Sequence, residues 1–460
     1  MTAAENSPCP NCERLQRRIH DLEQQVGKLA AALEEARRSG KRQAAPFRKA
    51  GPKRHPKKPG RKPGENYGEH QRRAVPAPEQ IDETYEAPLP ECCPDCGGTH
   101  LSETGVQPQY QIEIPRRPIQ RQFNVHRGRC EDCGCAVQGR HELQTSDALG
   151  AAAVQLGPDA HAAIALLNKE AGLSHGKAAR LFEQLFGVRI ARSTSARSIR
   201  RTARRLAPAH EEIRQAVRDG PWVVPDETGW RIGGKAAWLH AFVSERATCY
   251  AIDPTRSAEP LAGVIGWDYA GDLIHDGWSP YERFRQAGHQ QCLRHIRGRC
   301  RELLETATAG AVRFPRAVHD LLGRALEVRD RWREGELSDH GRLVLRGRLR
   351  EALRRLVTPI KTNSANETLA AFLERHLDDL FTFLARPQID ATNWRAEQAI
   401  RPAVVNRKVW GGNRTLAGAH DQSVLMSVLR TCQQQTYDTL DFLSRTLRAP
   451  LPALAPTLGR

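Results

Sequence analysis

Residues 222–228 read Trp-Val-Val-Pro-Asp-Glu-Thr, a short apolar run that ends in a carboxylate at Asp226. Residues 272–278 read Asp-Leu-Ile-His-Asp-Gly-Trp, a second apolar run that leads to Asp276. Both runs have the length and composition of buried strands. If these strands pair side by side, the two aspartates face each other and repel unless a cation such as Mg²⁺ lies between them. Taken alone, an aspartate at a strand end is more often part of a turn or a helix cap.

The sequence between these runs contains further sheet-forming segments. Residues 238–244 and 248–252 read as two more strands, which predicts an antiparallel meander, and residues 258–266 read as a helix. The connection is therefore long enough for the strand before Asp276 to return beside the strand before Asp226.

A third carboxylate, Glu397, lies far downstream in a segment with helical periodicity. Residues 393–401 place Asn393, Glu397 and Arg401 on one face, and Pro402 is expected to kink or end this helix. Residues 406–414 are basic and glycine-rich, which suits close approach of a phosphodiester backbone. The alternative is that Glu397 is a helix-surface residue paired with Arg401.

The segment between the second and third acids is rich in Leu, Arg and Glu, and we expect residues 297–386 to form an all-helical insertion. His295 is placed in a strand before that insertion, where it helps position metal or DNA. The alternative is a histidine packed within the strand.

Upstream, four cysteines form two Cys-x-x-Cys turns, each followed by glycine: Cys93 with Cys96, and Cys130 with Cys133. Four thiolates complete a tetrahedron, so the pattern predicts a zinc ribbon with one structural Zn²⁺. Residues 109–114 and 120–125 are expected to form its strands. Cys92 and Cys135 are neighbouring spare thiols, and four unligated cysteines are the alternative.

Residues 158–206 are helical in pattern and strongly basic. Two helices joined near Gly187, with Ser/Thr at 193–195 capping the second, resemble a helix-turn-helix. Arginines of the second helix, among them Arg197, Arg200 and Arg201, are expected to contact DNA phosphates. An ordinary helical hairpin is the alternative.

The N-terminal region combines two patterns. Apolar residues from Leu15 to Leu33 follow a heptad spacing that predicts a short coiled coil, with a docked amphipathic helix as the alternative. Residues 41–64 are basic and proline-rich without an acidic residue, which indicates either a flexible arm on DNA phosphates or a solvated linker. The arm's predicted DNA contacts are Lys57, Lys58, Arg61 and Lys62.

Composition limits the class of protein. The 460 residues include 70 Lys+Arg and 53 Asp+Glu, for a formal charge of +17, which favours a polyanionic partner. Neither a membrane-spanning run nor a signal peptide is apparent, so we expect a cytoplasmic protein whose cysteines bind metal rather than form disulfides.

Taken in order, several motifs resemble those of insertion-sequence 66 family transposases. They are Asp226-Glu227-Thr228, residues 275–281 (HDGWSPY), residues 292–295 (CLRH), residues 393–402 and Arg407-Lys408, preceded by a zipper-like helix, residues 60–64 (GRKPG) and the four cysteines. One departure is Trp394, where the family commonly has a second Asn.

The resemblance implies a ribonuclease-H-like core in which Asp226, Asp276 and Glu397 hold two Mg²⁺ ions. It also implies cleavage at the element's ends followed by joining of the 3′-hydroxyl to target DNA. The expected partners are DNA, contacted also by Arg401, Arg407 and Lys408, further copies of this chain, and helper proteins of the same element. The expected location is the bacterial nucleoid.

The resulting expectation is a multidomain α+β protein with the following segments: a coiled-coil helix at 1–40, a basic linker at 41–75, a zinc ribbon at 76–145, a helix-turn-helix-like region at 146–217, a ribonuclease-H-like core at 218–296 and 387–448 around the helical insertion at 297–386, and a tail at 449–460. Two other functions remain open. One is a zinc-containing DNA-binding regulator without catalysis, and the other is a ribonuclease-H-like nuclease that does not join strands.

Overall fold

The computed structural model describes residues 75–112, 114, 117–150 and 155–448, together with helical residues 15–16, 18–20, 22–26 and 29. The chain divides into two compact units, Met1–Pro115 and Arg116–Arg460. Along the N-terminal helix, Leu15, Leu22 and Leu29 are exposed in the single chain. Leu33 of the predicted coiled coil, the basic arm with its four predicted DNA contacts, and the tail lie outside the described residues.

In the first unit, the described residues contain a 3₁₀ turn at Pro78–Gln80 and the first cysteine turn. The strand predicted at 109–114 is wrong for residues 109–112 and 114, which are exposed and have no strand partner. A segment in which polar and apolar residues alternate does not form a stable strand unless a neighbouring strand pairs with its backbone N–H and C=O groups.

The second unit begins with a small antiparallel hairpin of β1 (Arg127–Arg129) and β2 (Ala136–Gln138). The strand predicted at 120–125 is wrong, because the paired strands lie downstream of it, on either side of the second cysteine turn. In that turn the Cys130 amide donates to the Cys135 carbonyl at 2.8 Å, which closes the hairpin locally.

A mixed five-stranded sheet forms the centre of this unit and, with the many helices around it, confirms the predicted α+β class. Its strands are β3 (Trp222–Ile232), β4 (Lys235–Val243), β5 (Thr248–Asp253), β6 (Asp272–His275) and β7 (Gly288–Gln291). The strand order is β5-β4-β3-β6-β7. Strands β3, β4 and β5 form the expected antiparallel meander, whereas β6 runs parallel to β3 and β7 parallel to β6.

Helices surround the sheet and precede, interrupt and follow it in the chain. They are α1 (Pro158–Ala165), α2 (His175–Phe186), α3 (Arg192–Arg218), α4 (Ala258–Ile265), α5 (Leu293–Thr306), α6 (Arg313–Arg333), α7 (Asp339–Val357), α8 (Ser364–Arg375), α9 (Thr382–Ala385), α10 (Trp394–Trp410), α11 (Leu416–Gln434) and α12 (Thr439–Arg448). A π-helical turn, Leu166–Glu170, follows α1. Helices α5 to α9 fill the sequence between β7 and the Glu397 helix.

The two faces of the sheet are covered by different helices, because side chains alternate along each strand. Trp222, Val224 and Ile274 pack in the cluster that contains the insertion helices and α10. Val223 and Leu273 pack in the other cluster, which contains α1, α3, α11 and α12. Complete burial of each large apolar side chain contributes about 1.5–3 kcal/mol. The sheet is thus fixed from both sides.

Helices α2 and α3 form the expected helical pair around Gly187, which has a φ of +66°. The predicted Ser/Thr cap of the second helix is wrong: its N-cap is Ala191, and Ser195 lies buried inside the helix. Ser174 instead caps α2 by accepting from the Lys177 amide. Helix α3 packs against the sheet's second face, so one side of it is unavailable to DNA.

In the part of the chain that the structure describes, no helix combines the length and apolar character needed to cross a bilayer.

Candidate active site

The pairing of β3 with β6 gives Asp226 and Asp276 equivalent positions. Trp222 pairs with Asp272 and Val223 with Leu273. Asp226 and Asp276 each lie four positions beyond the first of these pairs (222 to 226 and 272 to 276). Asp226 is still in β3, opposite Ala241 of β4, whereas Asp276 follows the end of β6. Both aspartates therefore lie just beyond the parallel pairing of β3 with β6.

The loop that carries Asp276 is organised by local hydrogen bonds. Asp276 Oδ1 accepts from the Trp278 amide at 2.9 Å, and Gly277 has a φ of +91°, a conformation that favours glycine. The Gly277 amide donates to His275 Nδ1 at 3.2 Å. His275 Nε2 must then carry the ring hydrogen, and it donates to His289 Nδ1 at 3.0 Å.

Glu397 lies in the first turn of α10, which packs on β3 through small and branched side chains such as Ala396, Ala399 and Ile400. Glu397 Oε2 accepts from Arg294 Nη1 at 2.5 Å, and its Oε1 is 3.9 Å from His295 Nε2. The prediction that His295 lies in a strand is wrong, because it is in the first turn of α5. The helix also does not end at Pro402, since α10 continues to Trp410.

Asp226 interacts electrostatically with the other two predicted carboxylates. Burial raises the pKa of Asp226 well above its usual range, and the nearby charges of Glu227, Asp276 and Glu397 raise it further. Glu397 is thus within electrostatic reach of Asp226 rather than on a distant surface. The structure therefore brings Asp276 and Glu397 within electrostatic reach of Asp226, which lies just beyond the parallel pairing of β3 with β6.

The carboxylates of Asp226, Asp276 and Glu397 suit a hard divalent cation, which takes carboxylate oxygens as ligands. Burial and mutual repulsion both oppose ionisation of Asp226, and a bound cation would relieve both. Within the described ranges, no three His, Cys, Asp or Glu side chains are arranged to hold one metal ion. Glu397 is instead paired with Arg294.

A fourth carboxylate, Glu227, lies beside this site and was not among the predicted site residues. Glu227 Oε1 accepts from Arg256 at 2.6 and 3.0 Å, and Oε2 accepts from the Tyr281 hydroxyl at 3.0 Å. Burial raises the pKa of Glu227 despite the arginine. The available sequence signal was its position next to Asp226.

Asn393 and Trp394 precede the Glu397 helix and have different surroundings. Asn393 is fully buried, and neither the nitrogen nor the oxygen of its side-chain amide has a hydrogen-bond partner. Trp394, the departure from the family's usual Asn, donates from Nε1 to Asp390 at 3.1 Å. The substitution therefore changes a partly exposed corner of the helix and leaves the buried Asn393 in place.

The predicted DNA contacts of the second unit differ in how exposed they are. Arg197, Arg200 and Arg201 are exposed on α3, and Arg401 and Lys408 are exposed on α10. Arg407 is half-buried and donates to Gly229 and Thr228 of β3. Its guanidinium therefore ties α10 to the sheet.

The two cysteine turns, one in each unit, have the same backbone form. In the first, the Gly97 amide donates to the Cys93 carbonyl, and in the second the Gly134 amide donates to the Cys130 carbonyl. Both glycines have positive φ. Hydrogen bonds from neighbouring backbone lower the pKa of Cys93 and Cys133, which favours the thiolate that Zn²⁺ binds. The zinc site itself stays a prediction.

Residues 153–421, more than half of the chain, match the family model described as "Transposase IS66 family". Among curated proteins, the uncharacterized protein y4qI of Sinorhizobium fredii (strain NBRC 101917 / NGR234) is 25% identical over 291 residues. That match covers 57% of this chain and 53% of the relative, so the chain spans about half of the relative's length. The family match includes all three predicted carboxylates.

Proposed function

The chain belongs to the IS66 family of transposases, and from this premise we propose that it cuts DNA at the ends of an insertion sequence and joins the freed 3′-hydroxyl to target DNA. The observation that carries the proposal is the grouping of Asp226, Asp276 and Glu397 just beyond the parallel pairing of β3 with β6. The family membership supports the class of activity. The three carboxylates support phosphodiester chemistry that depends on divalent cations.

We propose that this sheet and its carboxylates form a ribonuclease-H-like core. The proposal is supported by the antiparallel meander, the two parallel strands beside it, and the long helix that carries Glu397 against β3. The helices α5 to α9 would be an insertion between the last strand and that helix.

In the proposed reaction, Asp226, Asp276 and Glu397 hold divalent cations, with two Mg²⁺ ions expected. Bound Mg²⁺ would stabilise the attacking and departing oxygens of an in-line phosphodiester displacement. The chain's own part is placement: β3 holds Asp226, the loop after β6 presents Asp276, and α10 presents Glu397. Arg294 donates to Glu397, so a cation would have to take the place of that guanidinium.

The proposed substrate, DNA, is consistent with the chain's formal charge of +17 and the exposed arginines of α3. The basic arm at 41–75, Arg401 and Lys408 are proposed as further phosphate contacts. One structural Zn²⁺ bound by Cys93, Cys96, Cys130 and Cys133, assembly with further copies of the chain, helper proteins, and a location on the bacterial nucleoid complete the proposal.

The test uses labelled terminal DNA, a target plasmid and Mg²⁺ with the full-length protein. Asp226→Asn, Asp276→Asn and Glu397→Gln should each abolish cleavage and joining while end binding persists. Asp268→Asn is the matched control, because Asp268 is an exposed carboxylate before β6, at the opposite end of that strand. Binding without nicking by the unaltered protein would indicate a regulator, and hydrolysis without joining would indicate a nuclease. Excision by the triple variant would refute the site.

A further inference from the structure

The sheet alone does not set the separation of Asp226 and Asp276. Backbone pairing between β3 and β6 is limited to Trp222 with Asp272 and Val223 with Leu273. Both catalytic candidates lie beyond those pairs, and Asp276 is already in a loop. Two carboxylates in this position repel each other, so another contact must keep the loop close to β3.

Glu227 provides that contact from β3. Its side chain is only 3% exposed, and both of its oxygens accept hydrogen bonds, as expected of a carboxylate. The Tyr281 hydroxyl, which belongs to the 3₁₀ turn after Asp276, donates to Oε2 at 3.0 Å. This bond links β3 directly to the Asp276 loop.

Arg256 provides a second link between the same two segments. It donates to Glu227 Oε1 at 2.6 Å, and its guanidinium carbon lies 4.6 Å from the Trp238 ring centroid and 4.7 Å from that of Trp278. The Trp278 amide in turn donates to Asp276 Oδ1. Glu227 is therefore connected to the Asp276 loop through Tyr281 on one side and through Arg256 and Trp278 on the other.

We propose that Glu227 is a positioning residue which, with Arg256 and Tyr281, sets the separation of Asp226 and Asp276 before a metal ion binds. The inference rests on the proposed function, since it concerns the same acidic site. Glu227 need not touch DNA or metal in this role. If the contact is lost, the metal-competent arrangement is populated less often, and the apparent metal affinity falls by the same factor.

The experiment measures Mn²⁺ binding to the full-length, zinc-loaded protein without DNA, by isothermal titration calorimetry. Tyr281→Phe removes one hydroxyl and keeps the ring, and Glu227→Gln removes the charge and keeps the shape. Each should weaken Mn²⁺ binding about tenfold while thermal unfolding in EDTA stays close to that of the unaltered protein. Saturating Mn²⁺ should restore DNA cleavage by Tyr281→Phe.

Glu259→Gln is the control, because Glu259 also pairs with an arginine, Arg283 at 2.8 Å, but is exposed on α4. Unchanged Mn²⁺ affinity in both Tyr281→Phe and Glu227→Gln would overturn the positioning role. An equal loss of affinity in the control would overturn it too. If the unaltered protein bound no Mn²⁺, or if Asp226→Asn bound it normally, the proposed metal site itself would fail. These outcomes separate the two proposals.

Discussion

Arg294 Nη1 lies 2.5 Å from Glu397 Oε2, although the two residues are 103 positions apart in the chain. Arg294 begins the insertion on α5 and Glu397 follows it on α10, so the pair joins both ends of the insertion at the acidic site. This arginine therefore pairs with the carboxylate that a bound cation would need.

Replacing Arg294 by Gln should therefore strengthen Mn²⁺ binding several-fold, because the metal no longer competes with a guanidinium for Glu397. Stability should change by no more than about 1 kcal/mol, since the arginine side chain is 62% exposed. Calorimetric titration measures the first effect and urea unfolding the second. Arg301→Gln, an exposed arginine on the same helix, is the control. Weaker binding in Arg294→Gln would mean that the pair holds Glu397 ready for metal.

Replacing Gly277 by Ala should disturb the Asp276 loop. A Cβ at this position would lie 2.9 Å from Gln291 Oε1 and 3.0 Å from Phe372 Cζ, on a backbone with a φ of +91°. The combined strain should lower the free energy of unfolding by about 1–3 kcal/mol and strongly reduce cleavage. In Gly298→Ala, a helical position with nothing within 4 Å, stability should not fall. Normal cleavage by Gly277→Ala would show that the loop tolerates displacement.

Acid should destabilise the fold through buried histidines. Burial lowers the pKa of His161, His210 and His240 to about 4 each, below the ordinary value of 6.5. The unfolded chain therefore binds more protons than the folded one between about pH 6.5 and 4, so stability falls as pH falls through that range. Each histidine contributes up to about 1.4 kcal/mol per pH unit.

Urea unfolding at several pH values measures this slope. His240→Leu should reduce this slope by the contribution of one histidine. His340→Gln, at an exposed position on α7, is the matched control. An identical slope in His240→Leu and the unaltered protein would contradict the assignment.

The burial of Lys169 should affect the stability of the fold above neutral pH. It lies buried in the π-helical turn, where burial lowers its pKa to about 7. Its ammonium donates to Gln422 and lies 4.9 Å from the Trp410 ring centroid. Because the unfolded chain holds this proton up to about pH 10.5, stability should rise with pH between about 7 and 10.5.

Lys169→Met should remove that rise and raise the free energy of unfolding at neutral pH by about 1–3 kcal/mol, since an apolar chain replaces a buried charge. Unfolding curves at about pH 7 and pH 9 test both effects. Lys361→Met, at a half-exposed lysine of the insertion, is the control. A destabilised Lys169→Met protein would show that the ammonium's contacts outweigh its burial.

Zinc content tests the cysteine turns. About one Zn²⁺ per chain should survive dialysis under reducing conditions, and replacing Cys96 and Cys133 together by Ser should remove it. The control replaces the spare thiols Cys92 and Cys135 by Ser. Elemental analysis gives the stoichiometry. Absence of zinc from the unaltered protein would refute the ribbon.

Much of the sheet could be predicted because its strands are short apolar runs. The segments at 222–228, 238–244 and 248–252 lie within or close to β3, β4 and β5, and the positions of Asp226 and Asp276 follow from them. Strand β7, Gly288–Gln291, escaped prediction because its sequence, Gly-His-Gln-Gln, is polar although its last two residues are buried. Gln290 there donates and accepts hydrogen bonds with residues 380 and 383, which no local pattern indicates.

The missed features of the candidate site depend on partners remote in sequence. The importance of Glu227 is apparent only when Arg256 and Tyr281 lie against it, 29 and 54 positions away. His295 lies four residues after the end of β7, and the helix α5 begins only two residues before it, at Leu293. Pro402 is tolerated within α10, where the packing of Ala399 and Ala403 on both sides of it holds the helix against the sheet.

The insertion of α5 to α9 between Asp276 and Glu397 also affects the order in which a growing chain acquires its parts. Translation produces the sheet first, and the last carboxylate only after five further helices have emerged. Contacts of such large sequence separation form slowly, because closing the intervening loop costs entropy before any pairing is gained. A nascent polypeptide that ends within the insertion therefore lacks Glu397 and cannot bring the three carboxylates together.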